Sequence, residues 1–232
     1  MEYLDKTSLF KTIDNISEAL LFDLKIPENE KLKVADFIIG QQHSGAYANT
    51  FAPTDIDLKQ DLILLTGDKI KSRVGKCHVI GEEASRVLRK LNLQIEKVKT
   101  ALKQADTGLQ NFVNHWSQNS KHNYGMYCCK SCSCAFWINL ASGGLKDNRK
   151  LLTAGLDHLK QYRDNKGGWK GFPYFYTVYV LNEISPVLAM DEMRYIAKSL
   201  ENKLKRKKDN ENKYDLRRNY IYEQILNKVN KN

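Results

Sequence analysis

Apolar positions recur at steps of three and four along most of the chain, which is the period of an α-helix. Leu9, Ile13, Ile16, Leu20 and Leu24 make the first stripe, with Thr7 and Ser8 as candidate N-caps. Pro27 suits the first turn of a second helix carrying Val34, Ala35, Ile38 and Ile39. Thr54-Asp55-Ile56-Asp57 reads as a capping box with Asp in the usual Glu position, opening a helix along Leu58, Leu62 and Leu65. Cys77, Ile80, Ala84, Val87 and Leu91 form another stripe. The cleanest is Ile95, Val98, Leu102, Ala105, Leu109, Phe112 and Trp116. Further helices are predicted over 126–141, 147–163, 173–185, 187–206 and 213–229. No run alternates as a strand should, and only 174–181 is aromatic and β-branched enough to be equivocal. The pattern divides the chain into a helical domain, 1–206, and a basic polar C-terminal segment, 207–232, that ends in a helix.

Three segments share one shape: an apolar helix, a polar end, a Gly beside an aromatic, then a new helix. They are Ala35 to Tyr47, Leu109 to Tyr127 and Leu152 to Trp169, each leading into the next helix. A helix pair of this kind buries its apolar face only by stacking on its neighbours, so the expected architecture is all-α, built of helical-hairpin repeats. The third unit is the sharpest: Leu152-Thr153-Ala154-Gly155-Leu156-Asp157-His158-Leu159, then Asp164, Gly167-Gly168-Trp169, and Tyr176-Thr177-Val178-Tyr179-Val180-Leu181. Over residues 152–185 this resembles the repeat of protein prenyltransferase β-subunits and squalene/terpene cyclases. Gln41-Gln42 with Gly45-Ala46-Tyr47 is similar to a weaker copy. The resemblance implies an α/α-toroid or partial toroid whose inner helices wall a cavity for an isoprenoid-like chain. The chain departs from that family in having no Asp-x-Asp-Asp acid and no placeable Asp, Cys and His zinc trio.

Composition narrows the class. With 42% hydrophobic residues in a 232-residue chain, a substantial core is affordable, and collagen-like or wholly disordered states are excluded. No apolar run approaches the length of a membrane span, and the N-terminus has no basic region followed by an apolar one, so we expect a cytoplasmic protein. The net charge of +10 is concentrated toward the C-terminus, around Lys203 to Lys208. Such a cluster suits nucleic acid or an acidic surface, but Lys exceeds Arg throughout, so nucleic-acid binding is not favoured.

The candidate chemistry lies in the cysteines. Cys128, Cys129 and Cys132 are spaced to share one helical face, whereas Cys134 points elsewhere. Thiolates so placed suit zinc, with a fourth ligand from His78, His115 or His122. Cys129 near a helix start also suits redox chemistry, and buried packing is the third reading. His78 and Glu82 are four apart, the spacing at which a carboxylate orients an imidazole. Tyr47, Tyr127, Trp169, Tyr174 and Tyr176 are the candidate walls of a ligand pocket. The chain has no phosphate-binding loop, dinucleotide fingerprint, His-Glu-x-x-His or Gly-x-Ser-x-Gly motif.

These readings give three expectations. The first is a toroid-like protein with a pocket for an apolar or isoprenoid-like ligand, with or without catalysis. The second is a helical scaffold that binds a protein or nucleic acid through a concave face or the basic end. The third is a thiol- or zinc-dependent enzyme centred on Cys129 and Cys132. A partner subunit or self-association is compatible with each.

Overall fold

The computed structural model describes residues 2–43, 45–119, 124–206 and 212–231, with 116–119 as backbone alone. Among them are ten helices: α1 (Leu9–Leu21), α2 (Glu28–Gly40), α3 (Asp55–Lys59), α4 (Arg73–Lys90), α5 (Glu96–Asn119), α6 (Lys130–Ala141), α7 (Asn148–Lys160), α8 (Tyr174–Glu183), α9 (Pro186–Leu204) and α10 (Lys213–Asn230). The protein is thus predominantly helical. Two short antiparallel hairpins join it: β1 (Gln42–His43) with β2 (Thr50–Phe51), and β3 (Leu62–Ile63) with β4 (Lys69–Ile70).

Local signals account for most boundaries. Ser8 caps α1, its Oγ accepting the Lys11 N–H at 2.9 Å. The Thr54 box closes on Asp57 from both sides. The fully buried Asp57 carboxylate also accepts from the Ser8 hydroxyl at 2.5 Å and from the Leu9 N–H at 3.0 Å, so one side chain starts two helices.

One expectation is corrected, and one ambiguity resolves in favour of the helix predicted over 173–185. The helix predicted along Leu58, Leu62 and Leu65 stops at Lys59. Thr66-Gly67-Asp68 makes a turn there, with Gly67 at φ 85° and the Leu64 N–H donating to the Asp68 carbonyl at 2.8 Å. Turn chemistry therefore overrides helical spacing, and Leu62 pairs as a strand. The equivocal 174–181 stretch is helical: α8 packs on α6, α9 and α10 and is buried from Tyr176 to Leu181. Apolar residues all round suit a helix enclosed on every side.

The packing order is regular. Helix α4 lies on α6, α6 on α8 and α8 on α10, while α7 packs on α6 and α9, and α9 on α10. Helix α1 packs on α4. The Arg217 guanidinium on α10 returns to α1, meeting Asp14 at 3.2 Å and Glu18 at 3.0 Å. Helix α10 contributes Ile221, Tyr222 and Ile225 to the same core as α1, so the end of the 207–232 segment packs into the helical body. Lys207 and Lys208 of the basic cluster lie outside the described residues.

A polar knot sits among α1, α4 and α8. Arg86, 1% exposed, donates to Ser17 at 3.0 Å, to Glu83 at 3.2 Å and to the Tyr179 hydroxyl. Tyr176 donates to the other Glu83 oxygen at 2.6 Å. Each charge in this low-dielectric interior is offset by its neighbours, and removing one strands the rest. Arg86→Ala is expected to cost about 3–5 kcal/mol in denaturant unfolding. Asp57→Ala is expected to cost about 2 kcal/mol or more, because it orphans the donors of two helix starts. Losses under about 0.5 kcal/mol in either variant contradict these assignments.

Candidate metal centre

The site forms where the middle of α4 meets the loop entering α6. That loop is pinned by a close backbone approach. Gly125, at φ 85°, lies so near α7 that a Cβ there would stand 2.5 Å from the Gly155 nitrogen. The Trp137 Nε1–H donates to the Gly125 carbonyl at 2.7 Å and covers Gly155 from the other side. Two residues on, the Tyr127 N–H donates to the Ser133 hydroxyl at 3.0 Å, folding the loop back over the first turn of α6.

Helix α6 begins at Lys130, so Cys128 and Cys129 precede it, and the shared helical face expected of Cys128, Cys129 and Cys132 does not arise within one helix. Cap geometry gathers the sulfurs instead. Cys129 is the N-cap, its Sγ accepting the Cys132 N–H at 3.4 Å, and the two sulfurs stand 3.0 Å apart. His78 arrives from α4, with Nδ1 2.9 Å from the Cys128 sulfur. His78 Nδ1 or Nε2, Cys128 Sγ and Cys132 Sγ all lie within 4.8 Å of one another. Cys132 and His78 are buried, Cys128 is half-buried and Cys129 is exposed.

The electrostatics follow from that geometry. The Cys129 thiol is pulled down to about 2, chiefly by the Cys128 thiol and then by Cys132 and the backbone N–H groups of the helix start. The Cys128 thiol is pushed up to about 12, chiefly by the Cys129 sulfur beside it. Burial lowers the pKa of His78, favouring the neutral ring that acts as a metal ligand. Its ring stands edge-on to Tyr127 at 4.9 Å and to Phe112 at 5.9 Å. Tyr127 stacks on Phe136, and its buried hydroxyl has no hydrogen-bond partner among the described residues.

The remaining candidates fall elsewhere. Cys134 faces α8, its sulfur 3.5 Å from the Thr177 hydroxyl, and burial raises it to about 12. His115 is exposed on α5, and His122 lies outside the described residues. Glu82 does not orient His78: it accepts from Tyr47 at 3.1 Å and from Asn139 at 2.7 Å. Asn139 is a functional neighbour that the sequence reading overlooked, although a lone amide within the apolar run Ala135 to Leu140 was its signal.

Of the five aromatic candidates, Tyr47 and Tyr127 converge on Phe112, at 6.0 and 5.0 Å. Trp169 packs on Tyr174 and Tyr195 and donates to Glu192 at 2.8 Å, and Tyr176 is held by Glu83. The structure therefore places them in three separate locations. The Asp164 carboxylate ties the Gly-Gly-Trp loop by accepting from the Lys166 and Gly168 N–H groups at 2.8 and 2.9 Å.

Glu82 is fully buried beside Tyr47, Tyr127, Asp106 and Arg89, and burial lifts its carboxyl to about 7 from 4.5. Between those values the unfolded chain binds fewer protons at this group than the fold does, so its contribution is complete below 4.5 and is lost as pH rises through 7. Glu82→Gln is expected to remove that loss. Its melting temperature should gain on the parent's between about pH 5 and 8, by the equivalent of on the order of 3 kcal/mol. A constant difference across that range contradicts the assignment. Comparison with models of protein families, with curated proteins and with solved structures finds no match to this chain.

Proposed function

We propose that this is a helical metal-binding protein in which Cys128, Cys129, Cys132 and His78 hold a zinc ion. The observation that carries the reading is the convergence of His78 from α4 with the sulfurs of Cys128, in the loop before α6, and Cys132, in its first turn, some fifty residues on. Three thiolates and one imidazole are a donor set that zinc takes tetrahedrally. With Zn–S near 2.3 Å and Zn–N near 2.0–2.1 Å, the edges of such a tetrahedron are about 3.8 and about 3.6 Å. The 3.0 and 2.9 Å separations here widen by under about 1 Å to reach them, a rotamer-scale adjustment. The helix-start N–H groups that lower Cys129 also stabilise the anionic thiolates a metal requires.

Zinc so held would clamp α4 to the start of α6, and its binding energy would add to folding. Cys129, the exposed donor, is the position at which an incoming ligand would exchange. A second reading rests on the same pair: Cys129 as N-cap with Cys132 three residues on is a dithiol poised to oxidise. The order of α4, α6, α8 and α10 as successive neighbours supports the finer reading of helical-hairpin repeats in a partial toroid. The aromatic candidates are largely packed against other side chains, so the metal reading takes precedence over the apolar-ligand one.

Elemental analysis of the purified chain is expected to find one zinc per chain, and cobalt substitution should give thiolate charge-transfer bands. Cys132→Ser and His78→Asn should lose the metal, while Cys77→Ser and Cys134→Ser should keep it. Chelation should lower the melting temperature by about 5 °C or more. Zinc well below one per chain, with a Cys129–Cys132 disulfide forming under mild oxidant, would favour the redox reading instead.

A further inference from the structure

A second site lies on the far side of Glu82. Helices α4 and α5 and the loop from α6 to α7 border an open surface cleft of about 570 Å³. Four cations line it: Arg89 from α4, Lys99 and Lys103 from α5, and Lys146 from the loop. Asp106 is the single carboxylate in the lining, and it is already committed to the Arg89 guanidinium. Lys99 and Lys103, one helical turn apart, point from the same side. Among the described residues, Lys99, Lys103 and Lys146 form no ion pair, which leaves the cleft an uncompensated positive charge.

Of these cations Arg89 is held in place, whereas Lys99, Lys103 and Lys146 are exposed to solvent. Arg89 is mostly buried and braced between Asp106 and the Asn139 amide oxygen at 3.5 Å. Asn139 also fixes the loop, its carbonyl accepting the Gly144 N–H at 3.1 Å, and Leu145 turns at φ 59° to bring Lys146 over the cleft. The rest of the lining mixes polar and apolar surface. Thr107, Gln110 and Asn111 offer a hydroxyl and two amides, and Leu102 and Leu145 supply the apolar contribution. Among the described residues no aromatic ring on which bases of a single-stranded nucleic acid would stack lines the cleft.

We infer that this cleft binds a phosphomonoester carried on a polar, hydroxylated body. Lysine ammonium groups suit the doubly charged phosphate as rotatable point charges, and the amides suit the hydroxyls of the body. The phosphate chemistry is common to sugar phosphates and nucleoside monophosphates. The inference stands whether or not zinc is bound at the cysteines.

Isothermal titration of the full chain with ribose 5-phosphate and with AMP tests it, with inorganic phosphate, ribose and adenosine as controls. At least one phosphomonoester should bind more tightly than about 1 mM, inorganic phosphate more weakly, and the uncharged controls not at all. Preference for ribose 5-phosphate or for AMP identifies the body. The exposed pair Lys99→Gln with Lys103→Gln should weaken binding about tenfold or more without changing the melting temperature. Lys33→Gln with Lys198→Gln, on α2 and α9, should leave it unchanged. Three results would each overturn the inference. They are no phosphomonoester tighter than about 1 mM, equal weakening by the distant pair, or binding of an oligonucleotide alone.

Discussion

Helix α4 is buried along most of its length, yet it carries Lys76, His78, Glu82, Glu83 and Arg86, all nearly inaccessible to water. An ionisable group taken out of water is costly unless it is met by a partner. The arrangement of the protein can be read as the set of answers to that requirement. Lys76 donates to the Leu58 and Gln60 carbonyls at the C-terminal end of α3. Glu83 and Arg86 draw in Tyr176 and Tyr179 of α8 and Ser17 of α1, and Glu82 draws in Tyr47 and Asn139. His78 meets Cys128. Several neighbours of α4 thus supply a polar partner as well as apolar surface, which fixes register more tightly than apolar packing alone.

This logic explains what was legible in the sequence. Stripes such as Ile95 to Phe112, and caps such as Ser8 and Thr54, announce their helices because the governing interactions are local. The β3–β4 hairpin was hidden because Leu62 and Leu65 keep helical spacing, and the turn at Gly67 decides against it. The cysteine run was visible as a candidate, but the manner of its assembly was not. Helical spacing suggested three sulfurs on one face, whereas two of them lie before the helix. Which histidine joins them depends on α4 packing against α6, a contact between residues fifty positions apart.

The Gly-Gly-Trp segment shows the limit of motif reading from the other direction. Its Asp164, Gly168 and Trp169 are bound up with one another, Tyr195 and Glu192. Those bonds account for the residue types by loop closure and helix packing, without recourse to a ligand. The cleft at Lys99 and Lys103 has the opposite character: nothing in the local sequence marks it, because its charges are gathered from three separate segments.

The pairing of Arg217 with Asp14 and Glu18 spans 203 and 199 positions of the chain. Contacts so remote in sequence repay their loop-closure entropy only at the last stage of assembly. During synthesis the first helix must wait, its two carboxylates still hydrated, until α10 has left the ribosome. Docking of α10 then acts as a latch on the first helix.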